Sequence, residues 1–230
     1  DPFGFRCWRI QAASSGMRPF SVCFRGVSRM STAVTSVVFD IGNVLVGWDP
    51  RHLYRKVFAS EPEMERFLAE ICTMEWHLAH DCGEENAARL KSVHPDHGDL
   101  IDLWWSRYSE MIPGRVPGTA ELLHAMADKG IMLHGLTNMP VPVFDYLREA
   151  YPELQRFGTT VVSGAEGVIK PDPRIFEILI ERAGLMPEDT LFIDDSRKNI
   201  DAAAGLGFQT HHFVHAEGLA GDMRQLGLIL

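Results

Sequence analysis

The sequence predicts an α/β fold, a mostly parallel sheet between helical layers, with an all-helical segment inserted into it. Three observations predict it. Short β-branched runs alternate with helical patterns from Thr35 onward, the order that builds a parallel sheet covered on both faces. About ninety residues separate the first two strands, and they read as helices; a βα connection needs only a few. Acids gather where strands end, at Asp40 and at Asp194-Asp195.

The strands come first. VVFD (37–40) is an apolar run that ends on one carboxylate. IMLHGLT (131–137) ends on Thr137, TTVVS (159–163) follows, and TLFIDD (190–195) ends on two acids. QTHHFV (209–214) is a weaker fifth. Helices fill the gaps. PGTAELLHAMADKG (117–130) opens with Pro and Thr, closes with Lys-Gly, and gathers Leu122, Leu123 and Met126 on one face. PDPRIFEILIERAG (171–184) has Pro and Asp in its first turn and Gly at its end. SRKNIDAAAGLG (196–207) opens on Ser196, a side chain suited to an N-cap, and stops on glycine.

The insert reads as PRHLYRKVFA, PEMERFLAEI, MEWHLAH, EENAARLKSV and DLIDLWWSRYSEM, four or five helices within 50–111. It follows the acid-tipped first strand, so it belongs over the carboxyl ends of the strands, where open α/β sheets bind ligands. The division expected is a core of residues 30–46 and 112–230, a cap of 47–111, and a leader of 1–29.

Composition bounds the function. The chain has 230 residues, 46% hydrophobic and 23% charged, as a soluble globular protein does. Its net charge of −9 argues against a nucleic-acid partner, which rewards clustered Lys and Arg. Cys7, Cys23, Cys72 and Cys82 are scattered and form no C-x-x-C pair, which suits a reducing, cytoplasmic compartment. No run of 18 apolar residues predicts a membrane span. The leader is different: five arginines and one acid give it +4, leaving −13 on residues 30–230. Such a composition fits a mitochondrial transit peptide, or equally an upstream or non-native extension that ends before Met30.

Four strand-end features carry the chemistry: Asp40, Thr137-Asn138, Lys170 and Asp194-Asp195. Carboxylates brought to one sheet edge repel and raise each other's pKa. A divalent cation relieves them, and hard oxygen ligands select Mg²⁺. Thr137 offers a hydroxyl just before a helix start, which attracts phosphate, and Lys170 adds a compact positive charge. A nucleophilic acid, a cation, a hydroxyl and a lysine make a phosphoryl-transfer site, in which Asp40 attacks phosphorus and forms an aspartyl-phosphate.

The motifs VVFDIGNVL (37–45), LTN (136–138), IKPDPRIFE (169–177) and FIDDSRKNI (192–200) resemble those of the haloacid dehalogenase-like hydrolases, in the branch with a helical cap after the first motif. The resemblance covers residues 35–215. It implies a Rossmann-like three-layer core, Asp40 as nucleophile, Thr137 and Lys170 as phosphate binders, and Asp195 as a direct Mg²⁺ ligand. Asp194 would ligate directly or through water, Gly42 would give its backbone carbonyl, and Asn138 and Asn199 would support.

Gly42 departs from the pattern. Phosphatases of this family usually carry there an aspartate that protonates the leaving group; its dehalogenases do not. Gly42 therefore keeps open a metal-independent 2-haloacid dehalogenase, and also a non-catalytic phosphate-binding homologue. The Asp194-Asp195 pair favours the metal-dependent phosphatase of small phosphate monoesters. The GNVL form resembles a sub-branch that includes sugar-phosphate phosphatases, so a sugar phosphate or similar metabolite is the expected substrate; a monomer or homodimer is expected. Asp49 or His52 could supply the missing acid, although Asp49-Pro50 also reads as a helix start. In the insert, Trp76 and His77 are candidate substrate contacts, set against the commoner reading of Trp as core. His211, His212 and His215, or His77, His80 and Cys82, or His94 and His97, lack a zinc spacing with a full ligand set.

Overall fold

All five expected strands form, and they join in one parallel sheet. The computed structural model describes residues 33–84 and 86–230; the leader 1–29, its boundary at Met30, and Cys7 and Cys23 lie outside them. In chain order, β1 is Ser36–Phe39 and β2 is Val46–Gly47. The helices α1 (Arg51–Tyr54), α2 (Glu61–Glu70), α3 (Met74–Asp81), α4 (Ala87–Val93) and α5 (Gly98–Ser106) follow. Then come β3 (Gly114–Arg115), α6 (Thr119–Asp128), β4 (Met132–Thr137), α7 (Val141–Ala150), β5 (Thr159–Val162) and α8 (Ser163–Glu166). The chain closes with α9 (Pro173–Ala183), β6 (Thr190–Asp194), α10 (Arg197–Gly205), β7 (Gln209–His212) and α11 (Ala216–Gln225).

The sheet order is β5-β4-β1-β6-β7. From the central β1 the chain reaches β4 on one side and β6 on the other, with parallel pairing to both. The reversal makes the carboxyl end of β1 a topological switch point, the usual crevice for a ligand. Side chains alternate across a strand, and β1 shows it. Val37 and Phe39 pack with Leu133, Leu191 and Ile193 on one face. Val38 packs with Leu136, Val161 and Phe192 on the other. Each such fully buried side chain contributes roughly 1.5–3 kcal/mol.

The segment between β2 and β3 has an apolar cluster of its own, in which Tyr54, Phe67, Trp76, Ile101 and Trp104 meet. The two chain passages that flank it pair antiparallel, Val46 with Arg115 and Gly47 with Gly114. Arg115 also forks onto Glu153 of the core, Nε to Oε1 at 2.6 Å and Nη2 to Oε2 at 3.0 Å.

Some expectations need correction. The helix expected over 50–59 is one α-turn, continued by Lys56 and Val57 amides bonded three residues back. Ser196 stands at the N-cap of α10, but its side chain makes no cap bond. The Asp194 carboxylate accepts instead from the N–H of Ser196 itself, at 2.8 Å. The β2–β3 ribbon, α8 and α11 were not expected from the sequence. Among the described residues, no helix is long and apolar enough to cross a membrane.

Candidate active site

Lys170 organises the strand ends. It precedes α9 and is almost wholly buried, at 3% exposure. An ammonium has three protons to donate, and here three acceptors take them. Leu136 O is at 2.8 Å, Asp194 Oδ2 at 2.7 Å and Asp40 Oδ1 at 3.0 Å. The lysine thereby ties β4, β6 and the end of β1 together. Burial alone would push its pKa down, but the charges of Asp40 and Asp194 outweigh that and raise it.

Asp40 follows β1 and is buried at 8% exposure. Its Oδ1 also accepts from the Ile41 N–H at 2.7 Å, so both bonds fall on one oxygen and Oδ2 is left without one. Burial pushes its carboxyl up to about 7; Lys170 opposes this, while Asp194 and Asp195 add to it. Asp195 is likewise raised, first by burial and then by Asp194. Oxygens of Asp40, Asp194 and Asp195 lie within 4.8 Å of one another. This is the crowding that a divalent cation relieves.

Asp194 is turned inward. Its oxygens accept from Lys170, from the Ser196 N–H and from Asn199 Nδ2 at 2.9 and 3.1 Å, and it is fully buried. Asn138 is committed in a similar way. Its Oδ1 accepts from the Lys170 N–H at 2.8 Å and its Nδ2 donates to Lys170 O at 3.0 Å. Its amide thus holds the lysine's backbone.

A cavity of about 400 Å³ opens over these groups. Asp40, Gly42, Asn138, Lys170 and Asp195 line it. Trp48, Met74, Leu78, Val143 and Leu147 also line it. Thr137 is buried at the end of β4 and is not among the lining residues.

The insert contributes one face of α3. Met74, His77, Leu78 and Asp81 recur at helical spacing, and all four line the cavity. His77 stacks on Trp48, with centroids 4.6 Å apart at 12°. Trp76 points the other way. It packs edge-on against His80 and Trp104 within the insert's own core and does not line the cavity, so it is not brought to the site. Asp49 is not brought there either. Its Oδ1 accepts from the Arg51 N–H at 2.9 Å, at the start of α1, the helix-start role weighed above; His52 beside it is exposed.

Sequence reasoning missed Asp81. It is 3% exposed, and among the described residues its Oδ1 has no hydrogen-bond partner. Burial, and then the charge of Asp40, push its carboxyl up to about 8. His77 Nε2 lies 3.6 Å from Oδ2, too far for a hydrogen bond. Burial and His80 push the His77 imidazole down to about 4, so both groups are neutral at pH 7. The signal was a His and an Asp four apart on an otherwise apolar helix face.

Residues 34–207 match the model of the haloacid dehalogenase-like hydrolases, and the chain belongs to that family. The sesquiterpene phosphatase astK of Aspergillus oryzae is 30% identical over 203 residues, 86% of this chain and 98% of that protein. The phosphoglycolate phosphatase of Shigella boydii is 36% identical over 110 residues, 47% of this chain and 43% of that one. A HAD family enzyme from Bacteroides thetaiotaomicron, solved as a magnesium complex, shares the fold at a TM-score of 0.66 and 20% identity. That likeness covers 84% of this chain and 100% of the other. The protein is therefore a hydrolase of this family, with phosphatases among its relatives.

Proposed function

We propose that the protein hydrolyses small phosphate monoesters with the help of Mg²⁺, through an aspartyl-phosphate on Asp40. One observation carries the reading. Lys170 grips Asp40 through Oδ1, and both residues line one cavity together with Asp195. Asp40 Oδ2 attacks phosphorus in line with the ester oxygen. Lys170 holds the nucleophile in its attacking rotamer, and Asn138 and Asp194 hold Lys170. Thr137, at the strand end, supports the loop against which the phosphoryl oxygens lie.

The residues present fit a hard cation. Asp40, Asp195 and the Gly42 carbonyl would hold it, with Asp194 acting through water because its own oxygens are already occupied. When bound, Mg²⁺ would take up phosphoryl charge and favour the ionised Asp40. The apolar lining residues Met74, Leu78, Val143 and Leu147 favour an alcohol with apolar surface over a polyhydroxylated sugar, and a sesquiterpene phosphatase among the relatives agrees with that.

The test is p-nitrophenyl phosphate turnover with Mg²⁺ and with EDTA, beside chloride release from 2-chloropropionate. Turnover of the phosphate that EDTA abolishes and Asp40→Asn removes is the expected result. Chloride release that survives EDTA would identify a dehalogenase instead. Phosphate and Mg²⁺ binding with no turnover would identify a non-catalytic homologue.

A further inference from the structure

We propose that Asp81, carried in from the helical insert, is the acid that protonates the leaving alcohol. It thereby does the work for which Gly42 has no side chain. The inference rests on the phosphatase reading above and concerns its second half, the departure of the alcohol.

Three observations place Asp81 for this task. It lines the same cavity as Asp40 and Lys170. Its Oδ1 is buried and, among the described residues, makes no hydrogen bond, a costly arrangement unless a ligand completes it. Its backbone is fixed to the core. The Met139 N–H donates to Ser163 Oγ at 3.0 Å, and that hydroxyl donates onward to Asp81 O. The acid is therefore anchored to the loop after β4, the loop that also carries Asn138. The next residue, Cys82, donates from Sγ to Gly167 O at 3.1 Å. Asp49, the sequence's candidate for this role, has none of these features.

The charged and titratable groups around Asp81 favour its neutral form. Asp40 faces it from the core and opposes ionisation, Lys170 favours it more weakly, and burial outweighs both. His77 lies on its own helix at 3.6 Å with its imidazole held neutral, and His80 is on the same helix. Tyr108 feels the Asp81 charge from the turn after α5.

The step balances. Asp40 Oδ2 bonds to phosphorus, and the phosphorus–ester bond breaks with its electron pair on the ester oxygen. That oxygen takes the proton of the Asp81 carboxyl, and the alcohol departs. Water then attacks the aspartyl-phosphate and gives its proton to the Asp81 carboxylate. The Asp40 carboxylate and phosphate are released, and Asp81 is protonated again.

Two esters separate this role from the rest of the reaction. Nitrophenolate leaves without a proton, whereas an alkoxide does not. Asp81→Asn keeps the shape and removes the proton. General acid catalysis is worth roughly 10²–10⁴-fold, so the variant should lose about 100-fold more kcat/KM, which reports the steps up to departure of the alcohol, on butyl phosphate than on p-nitrophenyl phosphate. Equal losses on the two esters overturn the inference and leave the phosphatase reading intact. Absence of Mg²⁺-dependent turnover of either ester by the wild type overturns both. A second measurement needs no variant: wild-type kcat/KM should change less than about tenfold along a series from nitrophenyl to alkyl esters. A steep fall along that series overturns the role of Asp81.

Discussion

Lys170 sets the energetics of the site as well as its shape. Its three protons satisfy two carboxylates and one carbonyl, and Asp194 has no exposure to water. Removing the ammonium leaves buried charge uncompensated, which typically costs 3–5 kcal/mol. Lys170→Met should therefore lower stability by about 3 kcal/mol or more and abolish turnover together. Urea unfolding followed beside the phosphatase assay checks both; a variant as stable as the wild type would show that Asp40 and Asp194 find other partners. Asp81 gives the opposite kind of signal. Its folded-state pKa lies near 8, above the ordinary 3.8. Between those values the folded state holds the proton more tightly than the unfolded chain, so stability falls as pH rises from about 4 to about 8 and levels off above. Asp81→Asn removes that term. In EDTA, unfolding at pH 5 and pH 8 should show the variant gaining on the wild type at the higher pH, and a pH-independent difference would contradict this.

At the scale of elements, α3 delivers His77 and Asp81 only because two glycines let it come close. Gly83 adopts φ +88°, and a Cβ there would meet Gly164 O at 3.0 Å. A Cβ on Gly164 would meet Met139 O at 2.9 Å and Pro140 Cα at 3.0 Å, all backbone that cannot swing aside. Gly164→Ala should push α8 off the loop after β4, loosen the Ser163 link to Asp81, and cost about 1–3 kcal/mol. Thermal melts and butyl phosphate turnover should fall together. Gly42 behaves differently. A Cβ there meets nothing within 4 Å, so the absence of an acid at this position is not enforced by packing. Gly42→Asp should fold with near-native stability, and in the Asp81→Asn background it should recover alkyl phosphate turnover.

The same elements show what was legible in the sequence. The strands declared themselves because β-branched runs such as SVVF and TLFID pack on both faces of a central sheet. Asp40, Lys170 and Asp194-Asp195 were legible because an acid or amine at a strand end has few structural uses. The β2–β3 ribbon was hidden because two-residue strands have no periodicity to read. Asp81 was hidden for another reason. Its meaning depends on which face of α3 meets the cavity, and that is decided by contacts far away in sequence, Ser163 and Gly164. Trp76 and His77 are neighbours in sequence but project to different sides of α3, one into the insert's core and one into the cavity.

At the scale of the molecule, the insert and the core each have an apolar cluster, and the cavity lies between groups that both contribute. Crowded carboxylates at Asp40 and Asp195 resist ionisation in the folded state, and a cation that binds only the folded protein stabilises it by mass action. At a hundred times its dissociation constant, Mg²⁺ should add about 2.7 kcal/mol, read as a rise in melting temperature that saturates with concentration. Asp195→Asn should flatten the rise, because Asp195 is the exposed acid of the cluster and has no buried partner to satisfy. Asp49→Ala should leave it intact, since the Asp49 carboxylate accepts from the Arg51 N–H and the Arg51 guanidinium at the start of α1. A rise of equal size in the Asp195 variant would locate the cation elsewhere, and Ca²⁺ in place of Mg²⁺ would distinguish a tight octahedral site from a looser one.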